Sequence, residues 1–321
     1  MKDKRLLSRV INYCKSNRES ALICSVFALC LVCAVADNFW LHHSDEFLGA
    51  LIFEIIIFLI PLFVYLSLSK NRLSVEDTAK EMNIRKISPR LIFLPAIAVL
   101  LLISGTLLLD ILFYGIYDIT EGFTLYGHLT ANGDIGVVSI IYMILTFAAF
   151  PAIVEEIIFR KLLTRTYARK GILAAVIISG LFYAMTPFSL RLIPSFFFAG
   201  AIYCSLFLVT GSLVTSICAH FLFNIYGLFL GTNIANFFVS SSDAYALVII
   251  TIIVFLISLI LFLGVISKLF VAYAKAEKTP PNKNTKTSDK IQSAFEIFKN
   301  PINIACVAIY IAFVLVFAFL G

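Results

Sequence analysis

Nine stretches of mostly apolar residues recur along the 321-residue chain, at about 21–40, 48–68, 91–112, 136–159, 171–187, 192–210, 212–231, 245–267 and 301–320. A helix that crosses a bilayer needs roughly 20 such residues, because its backbone groups must all be satisfied within the segment. The pattern predicts an all-α, polytopic transmembrane bundle of about nine spans. Charged residues make up only 14% of the chain and hydrophobic ones 61%, whereas a soluble domain carries about 25% charge. That shortfall excludes an ordinary soluble enzyme, a disordered protein and a nucleic-acid binder. The seven cysteines are an odd number and mostly sit inside apolar runs. They read as small buried hydrophobes, and neither as a disulfide framework nor as a metal site.

The connections between the stretches fall into two kinds. Residues 1–20, 69–90, 160–170 and 268–300 carry six, six, five and seven Lys or Arg. The alternating connections 41–47, 113–135, 188–191 and 232–244 hold only Arg191. With 24 of 25 basic residues on one side, the positive-inside rule places the N-terminus in the cytosol. The net charge of +6 thus concerns the inner leaflet and its lipids. The start of the chain also resembles a signal peptide, ending in Ala34-Val35-Ala36 before Asp37, but the apolar run continues to Trp40, which favours an uncleaved first helix. The expected organisation is a basic tail 1–20, a helix bundle 21–267, a polar cytosolic linker 268–300 and an appended helix 301–321.

Ionisable groups inside spans are costly, and each asks for a partner or a function. They are Glu54, Asp110, Glu155, Glu156, Arg160 and His220. Asp110 lies near a helix end and is expected to reach interfacial water. Glu54 reads equally well as a protonated core carboxyl or as a cavity wall. Glu156 and Arg160 are one helical turn apart, so they pair and neutralise each other, a structural role. Glu155 is then about 100° round the helix with no cation of its own. Desolvation disfavours its charged form, which suits a general base for water. In a later span His220 and Asn224 share one face, with apolar residues between them, and point to a polar pocket.

Glu155-Glu156 with Arg160, followed by His220 with Asn224, resembles the CPBP family (CAAX proteases and bacteriocin-processing enzymes, also called ABI). These are intramembrane endopeptidases that include the type II CAAX prenyl endopeptidases. The resemblance extends over residues 147–226. Val154 to Leu162 is similar to the family's first motif. Phe196 to Asn224, with Gly200, Tyr203 and Thr210-Gly211-Ser212-Leu213, is similar to its third. It implies that Glu155 is the catalytic base and that His220 and Asn224 bind the oxyanion or hold water. It also implies a second motif, Phe-x-x-x-His, whose histidine helps Glu155 activate water. Here that place reads Phe182-Tyr183-Ala184-Met185-Thr186, with Thr186 in place of the histidine. An antiparallel hairpin turning at Lys170-Gly171 puts Glu155 and Thr186 at one level, each about 22–24 Å from the turn at 1.5 Å per residue.

A catalytic zinc normally takes three protein ligands. Glu155 and His220 supply two, Thr186 and Asn224 are poor donors, and His42, His43 and His128 fall in loops expected on the far side. No cofactor is required, and a metal-dependent mechanism such as zinc hydrolysis is disfavoured. Two readings follow. One is a multi-pass intramembrane endopeptidase of a bacterial plasma membrane, with Glu155 as base, acting on a membrane-associated peptide or protein. The other is a catalytically weakened relative that serves as an interaction protein, for example in bacteriocin self-immunity. A transporter fits less well, since no paired, broken half-helices recur in the two halves.

Overall fold

The structure, a computed structural model, describes residues 13–14, 17–36, 46–68, 91–116, 119, 136–168, 171–276 and 299–320. Among the described residues all regular structure is helical. Nine rods run through them: α1 (Arg18–Ala36), α2 (46–68), α3 (Leu94–Tyr114), α4 (Val137–Ala168), α5 (Ile172–Ala184), α6 (Ile193–Thr210), α7 (Leu213–Ser240), α8 (Ala244–Ala276) and α9 (Pro301–Leu320). Five of them, α3, α4, α6, α7 and α8, are long and apolar enough to cross a membrane. The apolar parts of α2, α5 and α9 are shorter. The basic connection 69–90, most of the segments 1–20 and 268–300, Asp37, and the histidines 42, 43 and 128 lie outside the described residues.

The helix ends follow the sequence. Pro95 and Pro194 stand in the first turns of α3 and α6, where a missing N–H costs nothing. Gly211 closes α6 in the left-handed region at φ +62°. The largest departure from expectation is α4, which runs on to Ala168 where the sequence reading stopped at 159. Its Arg160 and Lys161 look like the start of a cytosolic loop, yet both are buried in the bundle.

Packing brings the motif-bearing helices together. The antiparallel α5 and α6 touch along Gly180 and Gly200, where a Cβ built on Gly200 would stand 2.8 Å from the Gly180 Cα. Small residues at such crossings let backbones approach where lipid gives no hydrophobic drive between helices. Helix α3 lies centrally, against α6, α7 and α8, and α4 packs on α2, α5 and α7. Phe27, Leu101, Ile158, Phe159, Phe182 and Tyr203 form the heart of one continuous core. Helix α9 joins it through Cys306 and Tyr310, alongside α1. The outer face of α8 is the opposite case: Tyr245, Ile249, Ile253, Leu256 and Ile260 are exposed, as a lipid-facing surface requires.

Four stretches of these rods wind as π-helix: 55–59 in α2, 144–149 and 157–164 in α4, and 227–231 in α7. Three begin just after a polar residue of interest, namely Glu54, Glu156 and, three positions on, Asn224. Such bulges recur at functional sites, because the inserted residue re-aims the side chains around it.

Candidate active site

The α4 carboxylates diverge as the helical angle requires. Glu156 points into the bundle and is fully buried. Its Oε2 stands 3.2 Å from Arg160 Nε and its Oε1 3.1 Å from His220 Nδ1. The expected pair with Arg160 is therefore present, and the same carboxylate also holds the imidazole from α7. An ionised carboxylate only accepts, so Nδ1 carries the hydrogen and donates it to Glu156. In the neutral ring Nε2 is then the acceptor, and the Tyr183 hydroxyl, 3.2 Å away, donates to it. His220 is thus fixed at both nitrogens, with its tautomer set by Glu156.

Among the described residues no other carboxylate is within ion-pair distance of Arg160. Its guanidinium carbon lies 4.6 Å from the Tyr183 ring centroid and 5.2 Å from that of Tyr203. None of its three nitrogens has a hydrogen-bond acceptor among the described residues, the contact of Nε with Glu156 being an ion pair by distance alone. Ring faces take their place, a contact that strengthens when water is excluded. Tyr203 also stacks on His220, centroids 4.8 Å apart and 18° between planes. Arg160, Tyr183, Tyr203 and His220 thus form one buried, interleaved stack.

Glu155 faces the other way, into a cavity of about 130 Å³ bounded by α2, α3, α4, α5, α6 and α7. One water needs about 10–15 Å³ by this kind of measure, so several fit. Glu54, Asp110, Tyr183, Ser195, His220 and Asn224 also stand on the wall. Glu155 Oε2 is 3.9 Å from His220 Nε2, beyond hydrogen-bond range but within the distance of an ion pair once the ring is protonated. The structure therefore brings Glu155, Glu156, Arg160, His220 and Asn224 together.

Thr186 is not among them. Helix α5 ends at Ala184, and the Thr186 hydroxyl donates 2.7 Å back to the Tyr183 carbonyl. The α5 side chain that enters the cluster is Tyr183, three residues earlier. Pro187 offers the reason, since the residue before a proline is pushed out of helical geometry. Asp110 also departs from expectation. It is buried, accepts 3.0 Å from the Ser195 hydroxyl, and faces the cavity rather than interfacial water. Tyr183 and Tyr203 are the residues that sequence reasoning missed, having no cue beyond their place inside the motifs.

A metal does not fit this donor set. Both nitrogens of His220 are engaged, and among the described residues no three His, Cys, Asp or Glu side chains converge on one point.

Apolar spanning helices packed around a buried carboxylate–histidine cluster define a polytopic membrane protein with a polar chamber inside the bundle. Residues 137–226, which contain all of α4–α6 and the site-bearing part of α7, match the family model described as type II CAAX prenyl endopeptidase Rce1-like. Over that segment, less than half of the chain, the protein is similar to that family. No curated protein and no solved structure matches the chain.

Proposed function

We propose that the protein is an intramembrane endopeptidase that hydrolyses a peptide bond in a membrane-associated peptide or protein. The observation that carries this reading is the division of labour between adjacent carboxylates. Glu156 is consumed by Arg160 and His220, while Glu155 is left facing a cavity with room for several waters beside the same imidazole.

The chemistry follows from that division. Glu155 takes a proton from a cavity water as the hydroxyl adds to the scissile carbonyl carbon. The Asn224 amide and His220 Nε2, once that ring is protonated, donate to the oxygen on which negative charge develops. Glu156 stabilises the imidazolium through Nδ1, as a carboxylate does for a catalytic histidine elsewhere. No step passes through Thr186, whose hydroxyl is committed to its own helix end. In our reading the protein sits in a bacterial plasma membrane, and the basic connections support a cytosolic N-terminus with anionic lipid against the basic side.

The test is a library of internally quenched peptides tethered to lipid, prenylated CAAX-type sequences among them, presented in vesicles with the purified protein. Wild type should cleave some member, and Glu155→Gln should lose at least 10²-fold while folding normally. Equal cleavage by both proteins would refute the assignment of the base. One observation favours a second reading, as a weakened relative that binds a membrane partner: the residue at the second-motif position, Thr186, bonds to its own backbone and leaves that role empty. Tight binding of a library member without cleavage by wild type would support it.

A further inference from the structure

The cavity holds a carboxyl that the mechanism above leaves idle. Glu54 of α2 lines the same chamber as Glu155 and His220. Its Oε2 is closed off from the surface and has no hydrogen-bond partner among the described residues. No Lys or Arg accompanies it on the cavity wall. A charged carboxylate at membrane depth with no Lys or Arg beside it and one oxygen closed off without a donor would be very costly, so the group is carried as a neutral acid. The titratable groups that share the cavity wall with it are Asp110, Glu155, Tyr183 and His220, of which only His220 can become a cation. The bulge 55–59 starts at the next residue, where α2 packs against the π-helical and Glu-bearing parts of α4.

Peptide hydrolysis needs a proton for the departing amine as well as a base for the water. Resting on the peptidase reading, we propose that Glu54 is that acid: its carboxyl proton passes to the amine nitrogen as the C–N bond breaks. The steps balance. Water gives its hydroxyl to the carbonyl carbon and one proton to Glu155, and the amine leaves with the proton of Glu54. The proton on Glu155 then returns to Glu54 through cavity water, restoring both groups. Glu54 thereby supplies from α2 a second proton-handling group that the α5 segment ending in Thr186 does not.

The test compares the library peptide cleaved fastest by wild type with its depsipeptide, in which an ester replaces the scissile amide. An alkoxide leaves with less help from an acid than an amine does. Glu54→Gln should therefore lose on the order of 10²-fold or more on the amide and less than about tenfold on the ester, with Glu54→Asp recovering part of the amide rate. Glu155→Gln should lose both activities. Wild-type rates for Glu54→Gln on both substrates, or equal losses on both, would overturn the proposal.

Infrared spectroscopy of the purified protein provides a readout that needs no substrate. Wild type should show a protonated-carboxyl band at neutral pH that Glu54→Gln removes, and an unchanged band would also overturn the proposal. If wild type cleaves neither substrate while the band depends on Glu54, the failure falls on the peptidase reading itself.

Discussion

Arg160→Ala is the sharpest probe of how the cluster is built. The guanidinium is fully buried, its Nε is 3.2 Å from Glu156 Oε2, and its faces lie against Tyr183 and Tyr203. Removing it leaves the Glu156 carboxylate buried with only His220 to answer it, and breaking a buried pair from one side costs about 3–5 kcal/mol. The lost ring contacts add up to about 2 kcal/mol where water is excluded. At roughly 2 °C per kcal/mol for a chain of this size, the melting temperature should fall on the order of 6–14 °C. Thermal unfolding of the detergent-solubilised protein, read by tryptophan fluorescence or by thiol exposure, measures this directly. The double variant Glu156→Gln/Arg160→Met should melt well above Arg160→Ala, because it removes both charges and the Gln carbonyl can still accept from His220 Nδ1. The two changes touch the same contact, so their effects should be strongly non-additive. An Arg160→Ala protein that melts within about 1 °C of wild type would refute the reasoning. So would a double variant that is the less stable of the two.

Three further outcomes follow from the same geometry. Tyr183→Phe keeps the ring under Arg160 but removes the hydroxyl that donates to His220 Nε2; a hydrogen bond of about 1.4 kcal/mol corresponds to a tenfold loss of kcat with unchanged melting, and an unaltered kcat would show that the contact does not position the ring. Thr186→His should change cleavage less than about tenfold, since residue 186 lies beyond the end of α5 with its side chain turned to the Tyr183 carbonyl. A gain of 10²-fold or more would show that the segment can carry a histidine into the cavity after all. Gly200→Ala sets a methyl 2.8 Å from the Gly180 Cα and should destabilise by about 1–3 kcal/mol, measured by the same melting assay, whereas a neutral result would mean that α5 and α6 part easily.

Much of this was legible in the sequence because lipid makes polar residues expensive. Glu155, Glu156, Arg160, His220 and Asn224 announce themselves by standing inside apolar runs, and the i,i+4 spacing of Glu156 and Arg160 forecasts their contact. What could not be read is which groups share a partner across helices. That Glu156 serves His220 as well as Arg160 depends on how α7 packs on α4, and no local spacing encodes it. That α4 stays helical and packed past residue 159 escapes the sequence for a related reason. Arg160 and Lys161 have the composition of a loop, and the first of them can be buried because the tyrosine rings of α5 and α6 cover the guanidinium that Glu156 partly neutralises. Tyr183 and Tyr203 were invisible because an aromatic residue in an apolar run is the ordinary case, and their hydroxyls and faces matter only beside a cation and an imidazole.

The backbone gives a reason why two neighbouring glutamates can hold opposite jobs. In a regular α-helix successive side chains diverge by about 100°, which already separates Glu155 from Glu156. Here the seven residues Phe150–Glu156 are α-helical but lie between the π-helical stretches 144–149 and 157–164. Each wide turn adds residues without the usual advance around the axis, so Arg160 sits in a π-turn when it meets Glu156. That turn brings Arg160 Nε to Oε2 while Oε1 remains open toward α7, and His220 occupies it. Bulges beside Glu54 and after Asn224 stand next to the other polar walls of the same chamber. A uniform α-helix is the tighter and more regular way to cross a bilayer. Irregular winding on α2, α4 and α7, where they border the cavity, is therefore best explained by the aim it gives to side chains. It turns one carboxylate inward to hold an arginine and a histidine, and leaves two others, Glu54 and Glu155, facing the cavity.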